Sequence, residues 1–193
     1  MEALPELEEA SFSASTMLTA FLLDDFQQSV NCASQFGKLP LFRVEVSVFQ
    51  LVYAMACLAL YKMSGNKQKS LVARARKMLK SIDKLALKSQ DFCLSKKHLL
   101  QAELLSVGGE RHYDKALQNY NCAVALAAKE GLLMEEAMAY EATGRFVARC
   151  GKNPVAYFEK ARALFSRWDA SVKVALMDSK LGSYQQQGGE VKV

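Results

Sequence analysis

The sequence predicts an all-α protein, an α-solenoid in which antiparallel helical hairpins stack side by side. Three observations lead there. Hydrophobic residues make up 51% of the 193-residue chain, and they recur at steps of three and four rather than in alternation. Ala, Leu, Lys, Glu, Gln and Met, all good helix formers, are plentiful, whereas the Val-, Ile- and Thr-rich runs that favour strands are scarce. The few breakers, 3 Pro and 10 Gly, fall mostly between apolar stripes, so the turns are short and successive helices run antiparallel.

Taken in order, residues 1–11 read as a flexible N-terminus, 12–183 as one helical repeat domain and 184–193, with Gln185, Gln186, Gln187 and a Gly pair, as a disordered tail. About nine helices are expected. The first spans about 15–23. Asp24 and Asp25 form a tight turn and cap a second helix over 26–36, which Gly37 and Pro40 end. A long helix over 41–63 is apolar on most sides, as a helix buried between neighbours is. The next, over 67–87, is amphipathic: Leu71, Ala75, Met78, Ile82 and Leu85 form one stripe and the opposite face is basic. Residues 89–94 read as a loop, with Ser95 capping a helix that runs to about Val107 and stops at Gly108-Gly109. The following helix, 112–130, carries Tyr113, Ala116, Tyr120, Ala123 and Ala127 on one face. Gly131 separates it from a helix with the stripe Leu133, Ala137, Tyr140, Gly144 and Val147. Asn153 caps the eighth helix, with Pro154 in its first turn and Phe158, Ala161, Phe165 and Trp168 as its stripe. A last helix covers about 171–183. Tyr120, Tyr140, Phe158, Phe165 and Trp168 are all expected in the core.

The hairpins share a signature of a large residue flanked by smaller ones at steps of four and three. Ala116-Tyr120-Ala123 is the cleanest example; Pro154-Phe158-Ala161 and Ala75-Leu79-Ile82 repeat the spacing. Small residues let two helices approach, and stacking buries what no hairpin can bury alone. Tyr113-Asp114-Lys115-Ala116 with Tyr120 and Ala123 resembles the second helix of a tetratricopeptide repeat, at a longer period than the usual one. A wider resemblance covers about 42–177. Its anchors are Lys96, Leu99-Leu100-Gln101-Ala102-Glu103, Gly109, Tyr113 to Ala123, Glu135-Glu136-Ala137-Met138-Ala139-Tyr140-Glu141, Gly151, Tyr157-Phe158-Glu159-Lys160-Ala161, Phe165 to Ala170 and Lys173-Val174. In this order they resemble the helical repeat region of multidomain sensor kinases, where a serine/threonine-kinase-like domain and an AAA-type ATPase precede the repeats and a GAF domain and histidine kinase often follow. The resemblance implies a TPR-like superhelix that serves signal transduction as a sensing or scaffolding arm, with no chemistry of its own. One departure is specific: the family has Trp-Gly-Ala where this chain has Trp168-Asp169-Ala170, and Asp enters a left-handed helix stop less easily than Gly.

No catalytic constellation emerges. Gly108-Gly109-Glu110-Arg111 lacks the Gly-Lys-Ser/Thr of a phosphate loop. His98 and His112 have no second ligand at helical spacing, so no metal site is expected, and no cofactor either. Cys32, Cys57, Cys93, Cys122 and Cys150 are odd in number and form no CxxC pair, which points to free thiols in a reducing, cytoplasmic setting. The acidic N-terminus has no secretory signal pattern. The stretch 46–61 is short for a membrane span. Glu135, Glu136 and Glu141, near a helix start, read as complements to its dipole.

Charge placement is the one anomaly. Eleven of the 25 Lys and Arg lie between Lys62 and Lys97, against two of the 20 Asp and Glu. Arg74, Lys77, Lys80, Lys84 and Lys88 fall on one helical ridge and are the candidate partner-binding residues. The expected function is a non-catalytic helical-repeat scaffold for a protein partner or a neighbouring domain, the chain being a fragment of a larger signalling kinase/ATPase. The alternative is a basic helical domain that uses the Lys62–Lys97 region to bind an acidic partner or nucleic acid. Nucleic acid is disfavoured because no aromatic residues interleave with the lysines.

Overall fold

The computed structural model describes residues 3–33, 43–88 and 90–188. Among them the chain is all-α, with nine α-helices and no strand. These are α1 (Ala3–Leu22), α2 (Phe26–Cys32), α3 (Arg43–Met63), α4 (Lys69–Ala86), α5 (Gln90–Ser106), α6 (Tyr113–Lys129), α7 (Leu133–Arg149), α8 (Val155–Arg167) and α9 (Ser171–Gly188), with a 3₁₀ turn, Gly109–His112, before α6. Each helix packs against the next in sequence, and alternate helices also touch: α1 with α3, α3 with α5, and α5 with α7.

Five of the described turns share one backbone solution; after α3 it runs through Gly65, with Asn66 N–H donating to Tyr61 O at 3.0 Å. A residue in the left-handed conformation follows the helix, and the next amide reaches back to the carbonyl five residues earlier. Gly131 and Gly151 fill that position after α6 and α7. Asp24 (φ 63°) fills it after α1 and Asp169 (φ 59°) after α8; Asp25 N–H donates to Ala20 O at 2.9 Å and Ala170 N–H to Phe165 O at 2.9 Å. Asp169 therefore closes α8 in the same left-handed stop that Gly forms after α6 and α7. Asp25 also caps α2 as expected, its carboxylate accepting from Gln28 N–H at 3.0 Å.

One continuous apolar core runs from Met17 to Leu181 and takes residues from every helix. The predicted stripes point into it: Ala116, Tyr120, Ala123 and Ala127 of α6 are buried, as are Phe158, Ala161 and Phe165 of α8. In α3, residues Leu51, Val52 and Ala54–Leu58 are buried. The window Val46–Met63 is also the one described segment long and apolar enough to cross a membrane. Helix α8 approaches α7 closely at Gly144. A Cβ there would sit 2.7 Å from the Phe158 ring, which is itself stacked on Tyr184.

Several expectations need correction. α1 begins at Ala3, not near Ser15, because the Ala, Leu and Glu of that stretch sustain a helix without a visible stripe. α5 begins at Gln90, so the expected loop is helical through Leu94 and Ser95 is an interior helical residue rather than a cap. Burial of Cys93 and Ser95 draws that first turn into the fold. α9 runs on to Gly188, Gln being a competent helix former. Trp168 is 36% exposed: it sits at the end of α8, where the chain swings into the Asp169 turn and leaves the stripe. Tyr140 is half-buried. Asn153 does accept from Val155 N–H at 3.0 Å, but Pro154 lies just before the helix rather than in its first turn. The expected stop at Gly37 and Pro40 lies outside the described residues.

Two substitutions test this packing by denaturant unfolding. Gly144→Ala should destabilise by roughly 1–3 kcal/mol, because the methyl group must displace a buried ring; an unchanged midpoint would contradict the close approach. Asp169→Gly should stabilise by up to about 1 kcal/mol by relieving the left-handed strain, and a loss would show that the Asp side chain contributes more than its backbone costs.

Candidate functional site

On α4 the apolar and basic residues separate onto opposite sides. Leu71, Val72, Ala75, Ile82 and Ala86 turn inward, which leaves Arg74, Lys77, Lys80, Lys84 and Lys88 exposed on the other side. Lys77, Lys80 and Lys84 follow steps of three and four along α4, and Lys88 follows in the turn beyond the end of the helix at Ala86. Among the described residues none of these four is ion-paired. Arg74 lies near Tyr53 of α3, whose hydroxyl feels its charge. Asp83, the acidic residue of this helix, pairs with Lys97 of α5 at 3.0 Å. The ridge ends beside two exposed apolar side chains, Leu87 (83% exposed) and Phe92 (43%), at the α4–α5 corner.

A second charged region lies inside the protein. Asp24, in the α1–α2 turn, binds Arg145 of α7 and, at 2.9 Å, Lys180 of α9. Glu141 of α7 binds Arg145, Lys173 at 2.9 Å and Lys180 at 2.9 Å. Lys173 is buried and also donates to Leu22 O at 2.8 Å, at the end of α1. The first helices of the chain are thereby fastened to the last. Burial alone would raise both carboxyl groups, but Arg145, Lys173 and Lys180 more than reverse this and hold Asp24 and Glu141 at about 2. Burial pulls the Lys173 ammonium down, and Glu141 and Asp24 restore it only in part.

Two further buried pairs extend the pattern. Lys62 of α3 donates to Glu103 of α5 at 2.6 Å, and Tyr120 of α6 donates to the other oxygen of Glu103 at 2.6 Å. Lys96 of α5, fully buried, donates to Phe92 O at 2.7 Å and pairs with Glu135 of α7 at 3.1 Å. A cavity of ≈ 80 Å³ lies between these groups, lined by residues of α1, α2, α3, α5 and α7.

Sequence reasoning missed this interior. It assigned Glu135, Glu136 and Glu141 to the helix dipole; Glu135 and Glu136 do stand in the first turn of α7, but Glu135 also pairs with buried Lys96, and Glu141, beyond that turn, is buried in ion pairs. The signal was present, because each charge occupies an apolar-stripe position. Glu141 stands between Ala137 and Gly144, Lys96 between Cys93 and Leu99, and Lys173 four residues before Met177.

Among the described residues no group of His, Cys, Asp and Glu is arranged to hold a metal ion. All five cysteines are free, and burial pushes the Cys57 thiol up to about 11, far from a nucleophilic thiolate. Comparison of the chain with known protein families, curated proteins and solved structures finds no match in any of the three.

The carboxylate pair makes stability depend on acid. Asp24 and Glu141 titrate lower folded than their ordinary 3.8 and 4.5. The stability they supply is therefore complete above those ordinary values and drains as pH falls toward about 2. Urea midpoints should drop steeply over that window in the native chain. Glu141→Gln should lower stability by roughly 3–5 kcal/mol at neutral pH and flatten the acid dependence. A native midpoint unchanged between pH 5 and pH 3 would contradict the assignment.

Proposed function

We propose that this chain is a non-catalytic, TPR-like helical-repeat module that holds an acidic protein partner, or an acidic segment of a neighbouring domain, against the outer face of α4. The observation that carries this reading is the row Lys77, Lys80, Lys84 and Lys88, exposed and without ion-pair partners among the described residues. A solvated helix normally intersperses both signs along such a face. Here the cations stand together, and exposed Leu87 and Phe92 add apolar contact at the end of the row. Electrostatic complementarity of this kind speeds and orients association more than it adds affinity.

The interior favours partner binding on the outside of the array. Phe21, Phe26, Met55, Met138 and Phe146 line the central cavity, and ≈ 80 Å³ is far too little for a peptide. The wider reading, that the module belongs to a multidomain signalling kinase/ATPase and positions its domains, is supported by the ordered resemblance over 42–177. Its quoted anchors Lys96, Glu103, Glu135, Glu141 and Lys173 are the same residues that pair inside this chain. Such pairs give a physical reason for that order of residues.

A binding series tests the proposal. A fluorescent Glu-rich peptide containing Leu and Phe should bind the native chain with salt-dependent affinity, and replacing Lys77, Lys80, Lys84 and Lys88 together by Gln should weaken it roughly tenfold or more while circular dichroism stays unchanged. Equal binding by the variant, or no binding by the native chain at low salt, would overturn the reading. Tighter retention of a DNA or RNA oligonucleotide, with a steep salt slope, would favour the nucleic-acid alternative instead.

A further inference from the structure

The central cavity is lined by an unbalanced set of charges. Lys62, Arg145 and Arg149 face it with Glu103 and Glu141. Glu141 is also engaged by Lys173 and Lys180, which share Asp24 with Arg145. Across the connected cluster, among the described residues, five cations (Lys62, Arg145, Arg149, Lys173, Lys180) meet three carboxylates (Asp24, Glu103, Glu141). Two positive charges are left over, and of the five cations Lys173 is buried, Lys62, Lys180 and Arg145 are partly accessible and Arg149 is exposed.

Helix ends do not absorb the surplus. Lys62 and Arg149 stand in the last turns of α3 and α7, whose carbonyl ends carry partial negative charge. Those carbonyls are already used: Leu60, Tyr61 and Lys62 O accept from Ser64, Asn66 and Gly65, and Phe146, Val147 and Ala148 O accept from Cys150, Lys152 and Gly151. The Arg149 guanidinium, with five donors, gives one long bond of 3.3 Å to Ser106 O and lies over the Phe146 ring. No carboxylate among the described residues hydrogen-bonds it. Arg149 is exposed, so it stands at the mouth, while Lys62 lies deeper with 18% of its side chain accessible.

We propose that this cavity is a binding site for a divalent tetrahedral oxyanion of the phosphate class, held between Arg149 at the mouth and Lys62 and Arg145 within. The size fits: ≈ 80 Å³ is on the order of five water positions, enough for a tetrahedral oxyanion and too little for a nucleotide. Two negative charges match the surplus, and the guanidinium fork suits phosphate oxygens. Because the site joins α1, α2, α3, α5 and α7, its ligand would tighten the first hairpin against the rest of the array.

The test is a titration of the full chain with inorganic phosphate against chloride at fixed pH and ionic strength, read by calorimetry and thermal unfolding. Saturable one-to-one binding with a midpoint that climbs with the logarithm of phosphate concentration is expected. Arg149→Gln should weaken it roughly tenfold or more, and Lys80→Gln on the α4 ridge should leave it unchanged. If Arg149→Gln does not fold, Arg149→Lys, which keeps the charge and loses the fork, should still weaken binding. Phosphoserine in a parallel arm separates the sources: tighter binding than phosphate assigns the site to a tethered phosphoryl group, equal or weaker binding to the free ion. No saturable binding by the native chain, undiminished affinity in the Arg149 variant, or an equal loss in Lys80→Gln would overturn the proposal.

Discussion

Lys173 is the residue on which this structure turns. An ammonium group cannot enter a protein core without compensation of several kcal/mol, and here that compensation comes from three parts of the chain at once. Glu141 of α7 and Asp24 of the α1–α2 turn supply charge, and Leu22 O supplies a hydrogen bond from the end of α1. Satisfying one side chain therefore requires α1, α7 and α9 to meet in one geometry. A row of hairpins held by apolar stripes alone has no such requirement, because greasy surfaces slide and each repeat contacts only its neighbours. Directional, buried ion pairs link helices distant in sequence and fix how they meet.

The interior and the α4 ridge divide the positive charge of the chain between two tasks. Inside, Lys62, Lys96, Arg145, Lys173 and Lys180 pair with carboxylates and hold helices together. Outside, Lys77, Lys80, Lys84 and Lys88 touch no carboxylate among the described residues, and α4 is anchored by its apolar face, by the Asp83–Lys97 pair to α5 and by Ser81, which accepts from Gln50 of α3. The ridge is thus free to meet a partner without loosening the core. Leu87 and Phe92, next to it, are apolar groups the fold itself does not use fully.

Much of this fold was legible in the sequence because helical periodicity is a local signal. The stripes on α4, α6 and α8 fall where three-and-four spacing puts them, and Asp25 and Gly131 mark their turns by chemistry that acts within a few residues. The failures have the opposite character. The first turn of α5 exists because Cys93 and Ser95 are buried by other helices, and Trp168 leaves the core because the Asp169 turn redirects it. The polar interior was hardest to see. A charge on an apolar stripe reads as an imperfection until its partner is known, and the partners of Lys173 lie more than thirty residues away at Glu141 and far earlier at Leu22. The basic ridge was visible, since it needs only one helix.

The closure of the first hairpin onto the last is the claim that most directly separates this structure from a loose stack. A double-mutant cycle across it decides the matter. Asp24→Asn and Lys180→Met should each destabilise the chain, and their joint effect should fall short of the sum by roughly 0.5–3 kcal/mol. Strict additivity would mean that Asp24 and Lys180 do not meet, and the account of a chain fastened end to end would fail.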